Sequence, residues 1–150
     1  MYKKTAQEVS VEVPGEFGFP NAFDPNNRWI KIFMMIPWLL IEERYASLFV
    51  NNGAPAHPVR IALGSLIIQS KLNCSDEELI QQIKENPYLQ YVLGAPEFSS
   101  KPLFGASTLV DFRKRFGKDK CKFLSMVNEE IIPKLTWKER GTLRSLVENW

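Results

Sequence analysis

Residues 58–79, Pro-Val-Arg-Ile-Ala-Leu-Gly-Ser-Leu-Ile-Ile-Gln-Ser-Lys-Leu-Asn-Cys-Ser-Asp-Glu-Glu-Leu, decide the fold class. Ile61, Ala62, Leu63, Leu66, Ile67 and Ile68 cover more than half the circumference of a helix running from Pro58 to about Leu72. A helix apolar on so many sides belongs at the centre of a helical bundle. Asn73-Cys74 reads as its turn. Ser75-Asp76-Glu77-Glu78 reads as a capping box, with Ser75 on the third amide and Glu78 reaching back to the Ser75 amide. A fourth helix follows, with Leu79, Ile80 and Ile83 inward, and Asn86-Pro87 ends it.

Upstream, Asp24-Pro25 has the form of an N-cap and first helical position. Trp29, Ile32, Phe33 and Ile36 then keep helical spacing, and Pro37 opens a second helix to about Val50. Residues 1–27, with Pro14, Gly15, Gly18, Pro20 and Pro25, read as an irregular arm. Val9, Val11 and Val13 alternate there, which leaves a short strand open. Downstream, a short helix Tyr88–Leu93 stops at Gly94, and residues 95–106 form a loop.

Ser107 is read as the cap of a basic helix. On a helical wheel Leu109, Phe112 and Phe116 share one face, and Asp111, Lys114 and Arg115 point away from it. Arg113, at the margin of the buried face, is read as a DNA contact, with an inward bridge to the core as the alternative. Helix 118–135 and a capped final helix from Thr136 complete the reading. The expected fold is all-α: a compact bundle of about six to seven helices with an irregular N-terminal arm. Expected divisions are the arm 1–27, a helical domain 28–135 and a C-terminal helix or linker 136–150.

Charge singles out the basic helix. Residues 107–122 hold six Lys/Arg and two Asp, while the chain of 150 residues carries a formal net charge of only +2. The positive excess therefore sits in one folded segment, the footprint of a nucleic-acid contact. Lys114 and Arg115 are the expected phosphate contacts, supported by Lys118, Lys120 and Lys122, with Ser107 and Thr108 beside a phosphate at the helix start. The plain alternative is a solvated helix face pairing with Asp111 and Asp119. A helix-turn-helix spacing also exists at 58–86, but the acids Asp76, Glu77 and Glu78 at its second helix start would face phosphates.

No catalytic set emerges. The acids at 76–78 stand where a helix dipole favours them. His57 is the single histidine, and Cys74 and Cys121 have neither metal nor disulfide-framework spacing. The cysteine usage and the lack of a secretory start lead to the expectation of a reduced, cytoplasmic setting. The longest apolar run, Ile32–Ile41, is ten residues and contains Pro37, against the roughly 20 that a membrane span needs.

The order Gly53…His57-Pro58, Leu63…Ile67-Ile68-Gln69, Asn73–Leu79, Asn86-Pro87-Tyr88-Leu89-Gln90-Tyr91-Val92-Leu93-Gly94 and Phe104–Phe116 resembles the N-terminal, InsH-like domain of bacterial insertion-sequence DDE transposases. Ile36-Pro37-Trp38 resembles the start of that family's second helix, and the likeness spans roughly residues 20–120. The resemblance implies a non-catalytic domain that recognises double-stranded DNA at terminal inverted repeats during transposition. It also implies pairing of transposase subunits as a homodimer, and association with the bacterial nucleoid. Its catalytic acids, with a divalent metal such as magnesium, would lie on a catalytic core outside this chain, so no cofactor is expected here. Residues 136–150 match poorly, and a truncated gene or a remnant is the corresponding expectation. The alternative is a helical protein-interaction or dimerisation module with little DNA contact, motivated by Trp137, Leu143, Leu146 and Trp150.

Overall fold

The computed structural model describes residues 23–34, 36–47, 49 and 56–117, with the single positions 133, 137, 140, 141 and 144. Six helices lie in the described residues, with no strand among them: α1 Arg28–Met34, α2 Trp38–Ala46, α3 Val59–Leu72, α4 Asp76–Glu85, α5 Pro87–Val92 and α6 Ala106–Gly117. The all-α reading therefore holds for this part of the chain. Of the expected helices from residue 118 on, only the single positions 133, 137, 140, 141 and 144 are described, and the arm before residue 23 lies outside the described residues.

α3 is the central helix, as its apolar circumference requires. Val59 and the whole run Ala62–Ile68 are buried. It packs against α2, α4 and α6, while α5 packs against α1 and α4. Gly64 lets the Leu93 and Phe33 side chains come close to the α3 backbone. A Cβ there would stand 2.8 Å from Leu93 Cδ2 and 2.9 Å from Phe33 Cε1, so only glycine lets α1 and the end of α5 seat on α3. Trp38 is fully buried, donates from Nε1 to the Phe33 carbonyl at 2.9 Å and stacks on the Phe33 ring, which locks the α1–α2 corner.

The helix starts refine the sequence reading. α1 is capped by Asn27, whose Oδ1 accepts from the Trp29 amide at 2.9 Å, and not by Asp24. Asp24 instead closes a turn: its Oδ1 accepts from Asn26 N, and its carbonyl accepts from Asn27 N. Pro25 fits the second position of such a turn, where its fixed φ is already suitable. The Tyr88 hydroxyl accepts from the Asp24 amide at 2.8 Å, and Phe23 packs edge-on against Tyr88, so this turn is docked on α5.

α3 ends at Asn73, in the left-handed conformation at φ 50, a state that asparagine tolerates. Ser75 caps α4 by accepting from Glu78 N at 3.2 Å, as expected. The return arm of the box differs: the Glu78 carboxylate accepts from Gln82 Nε2 at 2.7 Å, one turn on along the exposed face. α2 ends at Ala46, short of the expected Val50. Arg60 crosses from α3 to the end of α5 and donates to the Tyr91 and Val92 carbonyls, supplying positive charge where the helix dipole is negative.

The loop after α5 is fastened from within. Gln90 is fully buried and donates to the carbonyls of Ile83, Lys84 and Ser99 while accepting from Ser99 N at 2.9 Å. One amide thus ties α4, α5 and the connection to α6 together.

Candidate nucleic-acid interface

α6 begins at Ala106, with Thr108 N donating to the Gly105 carbonyl at 3.0 Å. Ser107 therefore lies inside the first turn and is not its cap, a shift of two positions from the sequence reading. Ser107 is exposed and Thr108 half-buried. Leu109, Phe112 and Phe116 are all buried, as the wheel required. Phe112 meets Phe104 and His57 edge-on, with centroids 5.7 and 5.6 Å away, and Phe116 stacks on Tyr45 at 5.5 Å.

His57 thus sits among aromatic rings, a structural position. Burial, and then the charge of Arg115, lower its pKa below the usual 6.5. Among the described residues no three His, Cys, Asp or Glu side chains come together in a metal-holding group. No helix among them is long and apolar enough to cross a membrane.

The basic side chains divide by direction. Lys114 is exposed. Arg113 is exposed as a side chain and yet anchored to the core. Its Nη1 donates to Asp76 Oδ1 at 2.9 Å and its Nη2 to Asp76 Oδ2 at 2.6 Å. Gln69 joins the pair, donating from Nε2 to Asp76 Oδ1 at 2.7 Å and accepting at Oε1 from Arg113 Nη1 at 3.3 Å. The hydrogen bond from Arg113 lowers the Asp76 pKa and is the largest cause of that shift. The inward bridge, the alternative for Arg113, is present, and it spans α3, α4 and α6. Asp76 was legible as a helix-start acid and Gln69 only as a member of the Ile67-Ile68-Gln69 motif; nothing in the sequence paired either with Arg113.

Arg115 corrects the wheel, which placed it outward. Its Nη1 donates to Tyr45 Oη at 3.2 Å, and its Cζ lies 4.5 Å from the centroid of the Phe49 ring. A wheel gives the direction of Cβ only. The long side chain folds back over α2, where a ring face and a phenol oxygen await a guanidinium. Lys118, Lys120 and Lys122 lie outside the described residues.

The family model for the Transposase domain (DUF772) matches residues 19–115, which include all six helices except the end of α6. The chain belongs to this transposase-domain family. A curated relative of the transposase domain, described as uncharacterized protein ORF8 in the nfe locus of Rhizobium meliloti, is 30% identical over 94 residues. That match takes in 63% of this chain and 45% of the relative, so the chain spans less than half of that protein's length. No solved structure matches the domain. The transposase domain thus has its basic helix fixed on the core by three buried apolar residues and one ion pair. Ser107, Val110, Asp111, Arg113 and Lys114 are left on its exposed surface.

Proposed function

We propose that this domain is the non-catalytic DNA-binding part of an insertion-sequence transposase and that it engages the terminal inverted repeats through α6. The observation that carries the reading is the concentration of the chain's positive excess in residues 107–122, with Lys114 exposed on α6, in a chain of the transposase-domain family. Lys114 contacts a phosphate, with Lys118, Lys120 and Lys122 adding charge along the following segment. Ser107 and Thr108 stand at the helix start, where amides and hydroxyls favour an anion. Arg115 supports the surface from behind. Phosphodiester chemistry belongs to a catalytic core, with its divalent metal, that partners this domain. Fluorescence anisotropy with duplexes carrying the terminal repeats that flank the gene, against scrambled duplexes, tests the reading. Tighter binding to the repeats supports it, and equal absence of binding to both overturns it.

A second reading, a protein-docking module, draws on Trp137, which is 89% exposed. Sedimentation separates the two: self-association or core binding without DNA binding favours docking.

A further inference from the structure

Arg113 spends only one edge of its guanidinium on the protein. Nη1 and Nη2 hold Asp76 end-on, and Nη1 also reaches Gln69. A guanidinium carries five N–H donors in a rigid plane. The Nε–H and the remaining Nη2–H form the adjacent, side-on edge, parallel to each other, and the side chain is 43% exposed. Ser107, Val110 and Arg113, three residues apart, lie on one side of α6 with Lys114 beside them, and all four are exposed. A helix can carry such a stripe into the major groove of duplex DNA.

We infer that Arg113 is a base-reading residue, whose outer fork donates to O6 and N7 of a guanine in the major groove while Asp76 and Gln69 hold its plane. This inference rests on the DNA-binding reading above.

Guanine is favoured over phosphate by charge. Arg113 and Asp76 together are neutral, and the Asp76 carboxylate would stand close to any phosphate that Arg113 touched. A neutral pair releases little counterion, so it makes a poor phosphate clamp. Guanine offers two uncharged acceptors at the spacing of the fork. The plane is also fixed before binding, by bonds to two other helices, so less side-chain freedom is lost on contact.

Selection from a duplex library with a randomised core, followed by titration of the selected duplex, tests the inference with wild type, Arg113→Lys and Asp76→Asn. The wild-type pool is expected to fix at least one guanine. Replacing that guanine by adenine should weaken wild-type binding roughly 5- to 100-fold. The same replacement should cost Arg113→Lys less than about 2-fold, because lysine keeps the charge and loses the fork. Asp76→Asn should lose part of the guanine preference and steepen the salt slope by about 0.9, since the freed charge can then meet a phosphate. Circular dichroism and the urea midpoint establish that each variant is folded. Should Arg113→Lys fail to fold, Asp76→Asn carries the test alone. An unchanged guanine requirement in either folded variant overturns the inference. So does salt-dependent wild-type binding with no base preference, which leaves the DNA reading standing. Absence of any salt-dependent binding overturns both.

Discussion

Arg115 donates to the phenol oxygen of Tyr45 across 3.2 Å, and in doing so it turns away from the outer surface of α6. Tyr45 passes the link on, its hydroxyl donating to the His57 carbonyl at 3.4 Å. The cluster of Tyr45, Phe49, Arg115 and Phe116 is what fastens the end of α6 to α2.

Arg115→Ala is therefore expected to act on stability. Loss of the contact over Phe49 and of the bond to Tyr45 should cost about 1–2 kcal/mol in chemical denaturation. Arg115→Lys should recover only part, because an ammonium lacks the planar face and fork. Binding to duplex DNA by folded Arg115→Ala should fall less than that of Lys114→Ala.

Gly64→Ala should destabilise the domain by about 1–3 kcal/mol, the usual range for overpacking a tight core. The new methyl would meet Leu93 and Phe33, both buried, at 2.8 and 2.9 Å. Alanine is the better helix former, so a gain in stability here would contradict the packing described for α3.

Gln90→Leu keeps the volume and removes the donors to Ile83, Lys84 and Ser99 and the acceptor for Ser99 N. Leaving such groups unpaired should cost about 1–3 kcal/mol. Limited proteolysis should then cut within residues 95–105 faster than in wild type.

Stability should fall in acid through two groups of like sign. Burial first, then Arg115, hold the His57 pKa below 6.5, so the unfolded chain binds the proton more readily. That contribution is complete above 6.5 and is lost as pH falls toward the folded value. Asp76 is held below 3.8, chiefly by Arg113, so its contribution is complete above 3.8 and is lost as pH falls through its folded value. Urea midpoints measured against pH should show the upper step vanish in His57→Gln and the lower one shrink in Asp76→Asn.

Much of this fold was legible because its signals are local. The apolar girth of α3, the Asn73 turn, the Ser75 cap and the Asn86-Pro87 break each depend on residues within a few positions of one another. α1 shows the limit of such signals: Asp24 and Asn27 can both cap, and Asn27 does so while the Asp24 carboxylate accepts from Asn26 N in the preceding turn. The site was legible in its buried half, Leu109, Phe112 and Phe116, because spacing fixes a helix face. Its charged half was not. Where a long arginine ends depends on what another helix offers. Asp76 lies 37 residues from Arg113, and Tyr45 lies 70 from Arg115.

The central claim, that the outer surface of α6 meets DNA phosphates, is tested most directly by the salt dependence of duplex binding in wild type and Lys114→Ala. The logarithm of the binding constant should fall linearly with the logarithm of salt concentration, and Lys114→Ala should lessen the slope by about 0.9, the value of one phosphate contact. Replacing Lys118, Lys120 and Lys122 together should lessen it further. Binding that is indifferent to salt, or a slope that Lys114→Ala leaves unchanged, would contradict the account.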